Sequence, residues 1–318
     1  MLNILVFSAC GHQGSATIKA LLRHPHADSI TKIRGFCLRE SQSFRDLQNL
    51  RGGGKLECFK GDLNGPNSIR EAMKDMNKVC LILNPVSLSP SRNSIEGSRL
   101  EHEIGQNIIN FASEHHVDFV YSSYAACGTA QSIPTFKSKH DLEQCLKAKQ
   151  SKFNSVSIVR PAWFFDNLIV NKTLVTSLAQ GKLTMPLHPE TKIPGVSIED
   201  TGFALSQCLM NRNLLKFHDN VCELVGDVTS PNEIASFLQV SYEQCAPTLF
   251  EDKMEQMLFA FLQLEEVRPD LEFINENFNN LQNFPAFARS QNLLSAETGK
   301  LQITEEMRKV HQTAAGIL

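Results

Sequence analysis

The sequence predicts an α/β fold built on a doubly wound parallel sheet. Two observations carry this. Short apolar runs alternate with helix-period stretches through the first half of the 318 residues. The runs are continuously apolar rather than alternating, as in strands that helices cover on both faces. Residues 2–7 form the first run and lead into Ser8-Ala9-Cys10-Gly11-His12-Gln13-Gly14, after which Ile18, Leu21 and Leu22 recur at helical spacing. This reads as strand, tight turn and helix. Residues 33–38 make a second strand ending at Arg39, and residues 56–59 a third closing on Gly61-Asp62-Leu63. Residues 79–83 make a fourth, ending at Asn84-Pro85. Ile104, Ile108, Phe111 and Ala112 mark one helix face. A fifth strand, 119–121, ends in Ser122-Ser123, and a sixth, 156–159, ends in Arg160-Pro161. Open α/β sheets bind ligands at the carboxyl ends of their strands, and the polar and turn-forming residues gather there.

The second half is less regular. Residues 163–168 are aromatic-rich, while Met185-Pro186-Leu187-His188-Pro189 and Ile193-Pro194-Gly195 read as loops. Phe250, Met254, Met257, Leu258 and Phe261 give one apolar helix face, and residues 275–283 read as a surface helix or lid.

Composition excludes several classes. With 42% apolar residues, 20% charged and a formal net charge of −3, the chain is neither disordered nor a nucleic-acid binder working through bulk positive charge. Nine cysteines lie far apart without a C-x-x-C pair, which excludes a zinc ribbon and predicts reduced thiols in the cytoplasm. The opening apolar run is too short for a signal or a span, and no 18-residue apolar run follows, so no membrane partner is expected. H-E-x-x-H, G-x-S-x-G and phosphate-loop motifs are all missing, so no metal site is expected.

Gly11 and Gly14 stand between a strand and a helix. A dinucleotide pyrophosphate binds at such a helix N-terminus, where free N–H groups and the helix dipole face it. Glycine is needed where a Cβ would block the approach. The turn fits G-x-x-G-x-x-G at two of three positions, with Ser8 in the first. Arg39 at the second strand end is the residue type that meets a 2′-phosphate, whereas the adjacent Glu40 is the type that accepts from the ribose hydroxyl of NAD.

Together these segments resemble the NmrA-like proteins, a branch of the atypical short-chain dehydrogenases/reductases. The turn from Ser8 to Gly14 is similar to their G-A-T-G-x-Q-G, with Ser8 and Cys10 as departures. Leu38-Arg39, Gly61-Asp62-Leu63, Val120-Tyr121-Ser122-Ser123 and the stretch 160–168 are similar to successive signatures. Residues 193–202, ending in Asp200-Thr201-Gly202, resemble the later V-x-x-x-D-I-G, and Leu224-Val225-Gly226-Asp227 the segment after it. The resemblance implies an NADP(H)-binding Rossmann domain over 1–160 and a smaller C-terminal α/β lobe over 161–318, with about 193–212 returning to the first domain. It implies that Ser8, Gly11, His12, Gln13 and Gly14 hold the pyrophosphate and Arg39 the 2′-phosphate. Asp62 and Leu63 would lie by the adenine, and Asn84 and Pro85 by the ribose. The Ser8 side chain is expected to crowd the turn.

Typical short-chain reductases use Tyr-x-x-x-Lys on one helix, the lysine lowering the tyrosine pKa so that it gives its proton to a carbonyl. Here Lys139 has Thr135 four residues earlier, and a threonine hydroxyl is too weak an acid. The resemblance places Lys139, with Lys137 as a register alternative, by the ribose and nicotinamide, and Ser123 beside the nicotinamide. Tyr121 and Tyr124 flank Ser123 and would serve as acids only if aimed into the site. Trp163, Phe164 and Phe165, with Asn167 as a polar handle, are candidates for the pocket of a small apolar or aromatic substrate, and His188 is a loop candidate. Two readings follow: an NADPH-dependent reductase of a small quinone, enone or carbonyl, or a non-catalytic NADP(H) sensor that binds protein partners. A protein partner or a homodimer stays open in either case.

Overall fold

The computed structural model describes residues 2–50, 52, 54–215, 219–264, 269–278 and 281–315. The chain forms two compact units, Met1–Pro161 with Ile198–Leu224, and Ala162–Ser197 with Val225–Leu318.

The first unit begins with β1 (Leu2–Val6), α1 (His12–Arg23), β2 (Ile30–Cys37), α2 (Gln42–Gln48), β3 (Leu56–Lys60) and α3 (Pro66–Met73). It continues with β4 (Lys78–Ile82), α4 (Pro85–Leu88), α5 (Ser94–Ser113), β5 (Asp118–Ser122), α6 (Pro134–Ala148) and β6 (Ser155–Pro161). The chain then builds β7 (Trp163–Phe164), α7 (Asn167–Val170), α8 (Lys172–Ala179), β8 (Lys182–Met185) and β9 (Ile193–Val196) of the second unit. It returns to the first for α9 (Ile198–Met210) and β10 (Val221–Leu224). The second unit is completed by β11 (Asp227–Thr229), α10 (Pro231–Leu238), β12 (Ser241–Gln244), α11 (Lys253–Leu264), α12 (Leu271–Asn277), α13 (Phe284–Ser290) and α14 (Glu305–Ala315).

The first unit is a Rossmann-type α/β fold. Its seven strands run in the order β10-β6-β5-β4-β1-β2-β3, and every pairing is parallel. The inner strands β4 and β5 are buried at every residue, which is why they read as unbroken apolar runs. β1 lies between β2 and β4, so the strand order reverses at its end and the turn after it opens at the switch point. α1 buries Thr17, Ile18 and Leu21, and it stops at His24, which precedes Pro25 and adopts extended backbone as a pre-proline residue does. α9 packs against α1, and Gly202 makes the approach feasible: a Cβ there would lie 2.5 Å from the Ala16 carbonyl carbon.

Two strands of this unit depart most from the sequence reading. β2 starts at Ile30, three residues early, because its polar Thr31, Lys32 and Arg34 dilute the apolar signal. β10 is a seventh strand, hidden because it is four residues long and carries Glu223.

The second unit holds a three-stranded sheet, β11-β9-β7, and a parallel pair, β12-β8. Ile193-Pro194-Gly195 is therefore strand rather than loop. It is buried, and a Cβ on Gly195 would lie 2.1 Å from the Phe165 ring. Of the stretch 275–283, expected as a surface helix or lid, only 275–277 are helical, as the end of α12; residues 281–283 are irregular, and Asn279 and Asn280 lie outside the described residues. Among the described residues no helix is long and apolar enough to cross a membrane.

Gly202→Ala should force α1 and α9 apart, at about 1–3 kcal/mol for such overpacking, lowering Tm by roughly 2–12 °C. An unchanged melting curve would show that the two helices separate at no cost.

Candidate functional site at the carboxyl ends of the strands

The turn after β1 is set by backbone geometry. Ser8 has φ 53°, the left-handed region that non-glycine residues enter at a cost of about 1–2 kcal/mol. Its hydroxyl donates to the Ile82 carbonyl at 2.7 Å, at the end of β4. The side chain is thus drawn to the neighbouring strand, and the expected crowding of the turn is corrected. The Gly11 N–H donates back to the Ser8 carbonyl at 2.9 Å, and Gly11 caps α1 without any side-chain cap. The first bond of the helix runs from the Ser15 N–H to the Gly11 carbonyl. The N–H groups of His12, Gln13 and Gly14 therefore lack partners within the helix, at its positive end. Gly14 is buried, and a Cβ on it would lie 2.3 Å from the Ser8 carbonyl oxygen and 2.8 Å from the Ala9 Cα. Gly11 is exposed, and its Cβ would meet only that oxygen, at 3.2 Å. Uncapped amides around an open glycine suit an oxyanion such as a phosphate.

Gln13 has a role the motif did not show. Its side-chain oxygen accepts from the Ser122 hydroxyl at 2.8 Å, which joins α1 to the end of β5.

At the end of β2, Glu40 pairs with Lys60 at 2.9 Å, and that contact holds its carboxyl below the usual range. Arg39 is exposed, and no carboxylate among the described residues pairs with it. Asp62 is exposed, its carboxylate accepting from the Asn64 N–H at 2.9 Å, while Leu63 is buried beneath it in the core. Asn84 caps α4 by accepting from the Val86 N–H at 3.0 Å, and Pro85 opens that helix.

The thiol expectation is corrected at one pair. Cys10 and Cys37 form a disulfide, while the other seven cysteines are free. The two are 27 residues apart, and no spacing motif signals that the fold sets the turn beside the end of β2.

Lys139 is buried. Its ammonium donates to Glu101 of α5 at 2.7 Å, lies 3.5 Å from the Leu83 carbonyl, and sits over the Tyr121 ring at 5.8 Å. Ser138 donates to the other oxygen of Glu101 at 2.8 Å. Thr135 bonds the Ser98 hydroxyl at 2.9 Å, so it too faces α5. Lys137 is exposed and pairs with Asp141 at 2.6 Å. Tyr121 is fully buried and Tyr124 half-buried against Phe136, and desolvation pushes both phenols up, in Tyr121 with Glu101 and Glu143 adding to it. The Tyr121 hydroxyl is without a hydrogen-bond partner. Neither tyrosine is aimed as an acid near neutral pH.

Ser123 donates to the buried carboxylate of Glu143 at 2.5 Å. Arg160 grips the same carboxylate with two bonds, at 2.9 and 2.5 Å, and reaches Glu223 of β10 at 2.8 Å. Burial opposes the charge on Glu143, but the Arg160 bonds outweigh it and hold the carboxyl low. In Glu223 burial wins and the carboxyl moves up. Burial, with Glu143 beside it, pushes the Cys127 thiol up to about 12. Cys127, His140 and Glu143 bring ligand-type atoms within 4.8 Å of one another, yet both oxygens of Glu143 are already bonded to Arg160. Sequence reasoning missed Glu101, Glu143 and Glu223, each a single acid with no local pattern.

In the second unit Trp163 is buried and meets Phe165 edge-on, and Phe165 packs on Phe284 and Phe287. Phe164 and Asn167 are half-buried, and Asn167 starts α7. His188 is exposed, its Nδ1 accepting from the Glu190 N–H at 3.3 Å.

The model of the NmrA-like family matches residues 2–298. The chain belongs to the NmrA-like family. Among solved structures it is similar to the triphenylmethane reductase of Citrobacter sp. complexed with NADP(H), with a TM-score of 0.71 and 17% identity over 91% of this chain and 99% of that one. An NADPH-dependent quinone oxidoreductase from Escherichia coli, complexed with NADPH, gives 0.67 and 15% over 90% and 99%. L-threonine 3-dehydrogenase from Trypanosoma brucei gives 0.66 and 16% over 99% and 98%. At these identities the likeness establishes the fold. No curated protein sequence matches the chain.

The charge cluster of this NmrA-like chain gives a pH test. Because the folded pKa of Glu143 lies below its unfolded value, its contribution is full above about pH 4.3 and is lost as pH falls through the folded value. Arg160→Leu reverses the sign, since burial alone then raises Glu143. The variant should lose about 3–5 kcal/mol at pH 7 and markedly less near pH 4, measured by thermal melts. A pH-independent loss would mean that Glu143 is not held charged by Arg160.

Proposed function

We propose that this chain is an NADPH-dependent oxidoreductase of the NmrA-like type, working in the cytoplasm on a small quinone, enone or carbonyl. The observation that carries this is the uncapped N-terminus of α1 at the switch point, with three amides unpaired within the helix, together with an exposed Arg39 after β2 that no carboxylate among the described residues pairs with. The amides of His12, Gln13 and Gly14 hold the pyrophosphate, with Gly11 leaving room and Ser8 shaping the turn. Arg39 takes the 2′-phosphate. Asp62 and Leu63 border the adenine, and Asn84 and Pro85 the ribose. When bound, the cofactor supplies a hydride.

Ser123 and Lys139 serve the reacting end. Lys139 holds Glu101 and the strand end at Leu83, so it orients rather than gives up a proton. Ser123 is fixed by Glu143, with its oxygen left to accept. Phe164 and Asn167, being half-buried, are better placed to touch substrate than Trp163, which belongs to an aromatic core. Thr135 is turned to Ser98 and both phenols titrate well above neutral pH, so none of these three hydroxyls, among the described residues, stands ready as a general acid. That favours quinones, whose developing charge spreads over the ring, above ketones, whose alkoxide needs a donor as it forms.

The same lack of an acid supports a second reading, a non-catalytic NADP(H) sensor that exchanges protein partners. NADPH oxidation against a panel of quinones, enones and aldehydes separates the two. Turnover of quinones well above aldehydes is expected, whereas tight NADPH binding with no turnover on any of them favours the sensor. In the same preparation Arg39→Ala should weaken NADPH by about 10- to 150-fold, the worth of one charge-assisted contact, and leave NADH nearly unchanged. Equal losses for both cofactors would remove Arg39 from the 2′-phosphate.

A further inference from the structure

Cys10 is the last residue before the Gly11 cap of α1, and Cys37 is the last residue of β2. They are bonded, with Cα atoms 5.8 Å apart, inside the span a disulfide bridges. The fold itself sets this meeting. The Ala9 N–H donates to the Phe36 carbonyl at 3.0 Å, one residue back from each sulfur. Gly35 lies so close to the turn that a Cβ on it would be 2.9 Å from the Ala9 Cβ. Backbone pairing and packing therefore keep the two cysteines neighbours whether or not the sulfurs are joined.

Its place bears on ligand affinity. One side of the pair is the run of free amides at His12, Gln13 and Gly14, and the other is Leu38-Arg39. Joined, the sulfurs offer no S–H donor to an anion, and the segment leaving β2 is tied to the turn. Opened, the half-buried Cys10 sulfur offers an S–H donor beside the amides, and the covalent tie between the turn and the segment that carries Arg39 is removed, while Cys37 stays buried at the end of β2.

We infer that Cys10–Cys37 is a reversible thiol–disulfide site that sets the affinity for the phosphorylated cofactor. This rests on the NADP(H)-binding reading above. Cys10 is half-buried and Cys37 buried, so a small thiolate such as glutathione attacks the Cys10 sulfur. The protein S–S bond breaks, a mixed disulfide forms on Cys10, and Cys37 leaves as a thiolate that takes up a proton. A second thiolate attacks the small-molecule sulfur of that mixed disulfide, releasing Cys10 and a low-molecular-weight disulfide. Two protein sulfurs are reduced and two small thiols oxidised. The reverse sequence uses glutathione disulfide as oxidant, with Cys10 as the attacking thiolate at the positive end of α1.

The experiment uses the full chain, equilibrated with glutathione disulfide or with dithiothreitol. The bond state is read by peptide mass mapping and the fold by circular dichroism. NADPH and NADH are then titrated into each form. NADPH should bind at least about tenfold tighter to the reduced form, the scale of one or two recovered contacts, with a smaller change for NADH. Cys37→Ser should bind NADPH equally under both conditions. Equal NADPH affinity of the oxidised and reduced wild type overturns the site and leaves the cofactor reading standing. A bond that cannot be opened or closed in the folded chain also overturns it. Failure of both forms to bind either cofactor overturns the cofactor reading, and the inference with it.

Discussion

The ligand end of the sheet depends on how closely the first turn of α1 approaches the end of β1. A single methyl at position 14 would stand 2.3 Å from the Ser8 carbonyl oxygen, so nothing larger than hydrogen fits. That contact sets the direction of the helix axis, and the axis aims the free amides. Ser8 accepts a left-handed backbone to make the turn, and its hydroxyl recovers part of the cost at Ile82. Gln13 then reaches β5 through Ser122, and one turn further along α1 Ala16 receives Gly202 of α9. A chain of close approaches thus runs from one strand end through a helix to the next layer.

The other end of the crevice is organised by charge. Two buried acids, Glu101 and Glu143, each hold one cation and one serine. Such pairs are near neutral in stability against apolar side chains of similar volume, but breaking one is costly. Their effect is to fix side-chain positions. Lys139 is held toward α5, and Ser123 is locked at the end of β5.

Much of the fold could be read from residue pattern. β1 and β4 to β6 are visible because strands under helices need apolar side chains on both faces, and β3, at the sheet edge, shows only as the short run 56–59 before Gly61. β2 was read short because its first half carries Thr31, Lys32 and Arg34. β10 escaped notice because a four-residue edge strand needs little apolar surface. The phosphate turn was legible because Gly11 and Gly14 answer to backbone constraints that act within a few residues. The pairings of Lys139 with Glu101, Arg160 with Glu143 and Cys10 with Cys37 were not. They join residues that only the sheet order brings together, and no local period encodes them. Trp163 illustrates the converse, since an aromatic run signals burial without saying whether the neighbours are ligand or core.

The path of the chain has a consequence for biosynthesis. β10 completes the edge of the first unit next to β6, with Leu224 in register with Pro161 and Arg160 latched to Glu223. Yet the ribosome delivers β7 to β9 of the second unit between those strands. At about 5–20 residues per second, the nascent first unit waits several seconds with the β6 edge unpaired and Arg160 without its second carboxylate. An exposed parallel edge of this kind pairs readily with other chains. The buried grip of Glu143 on Arg160, formed from segments already synthesised, keeps a cation at that edge during the delay and so discourages premature association.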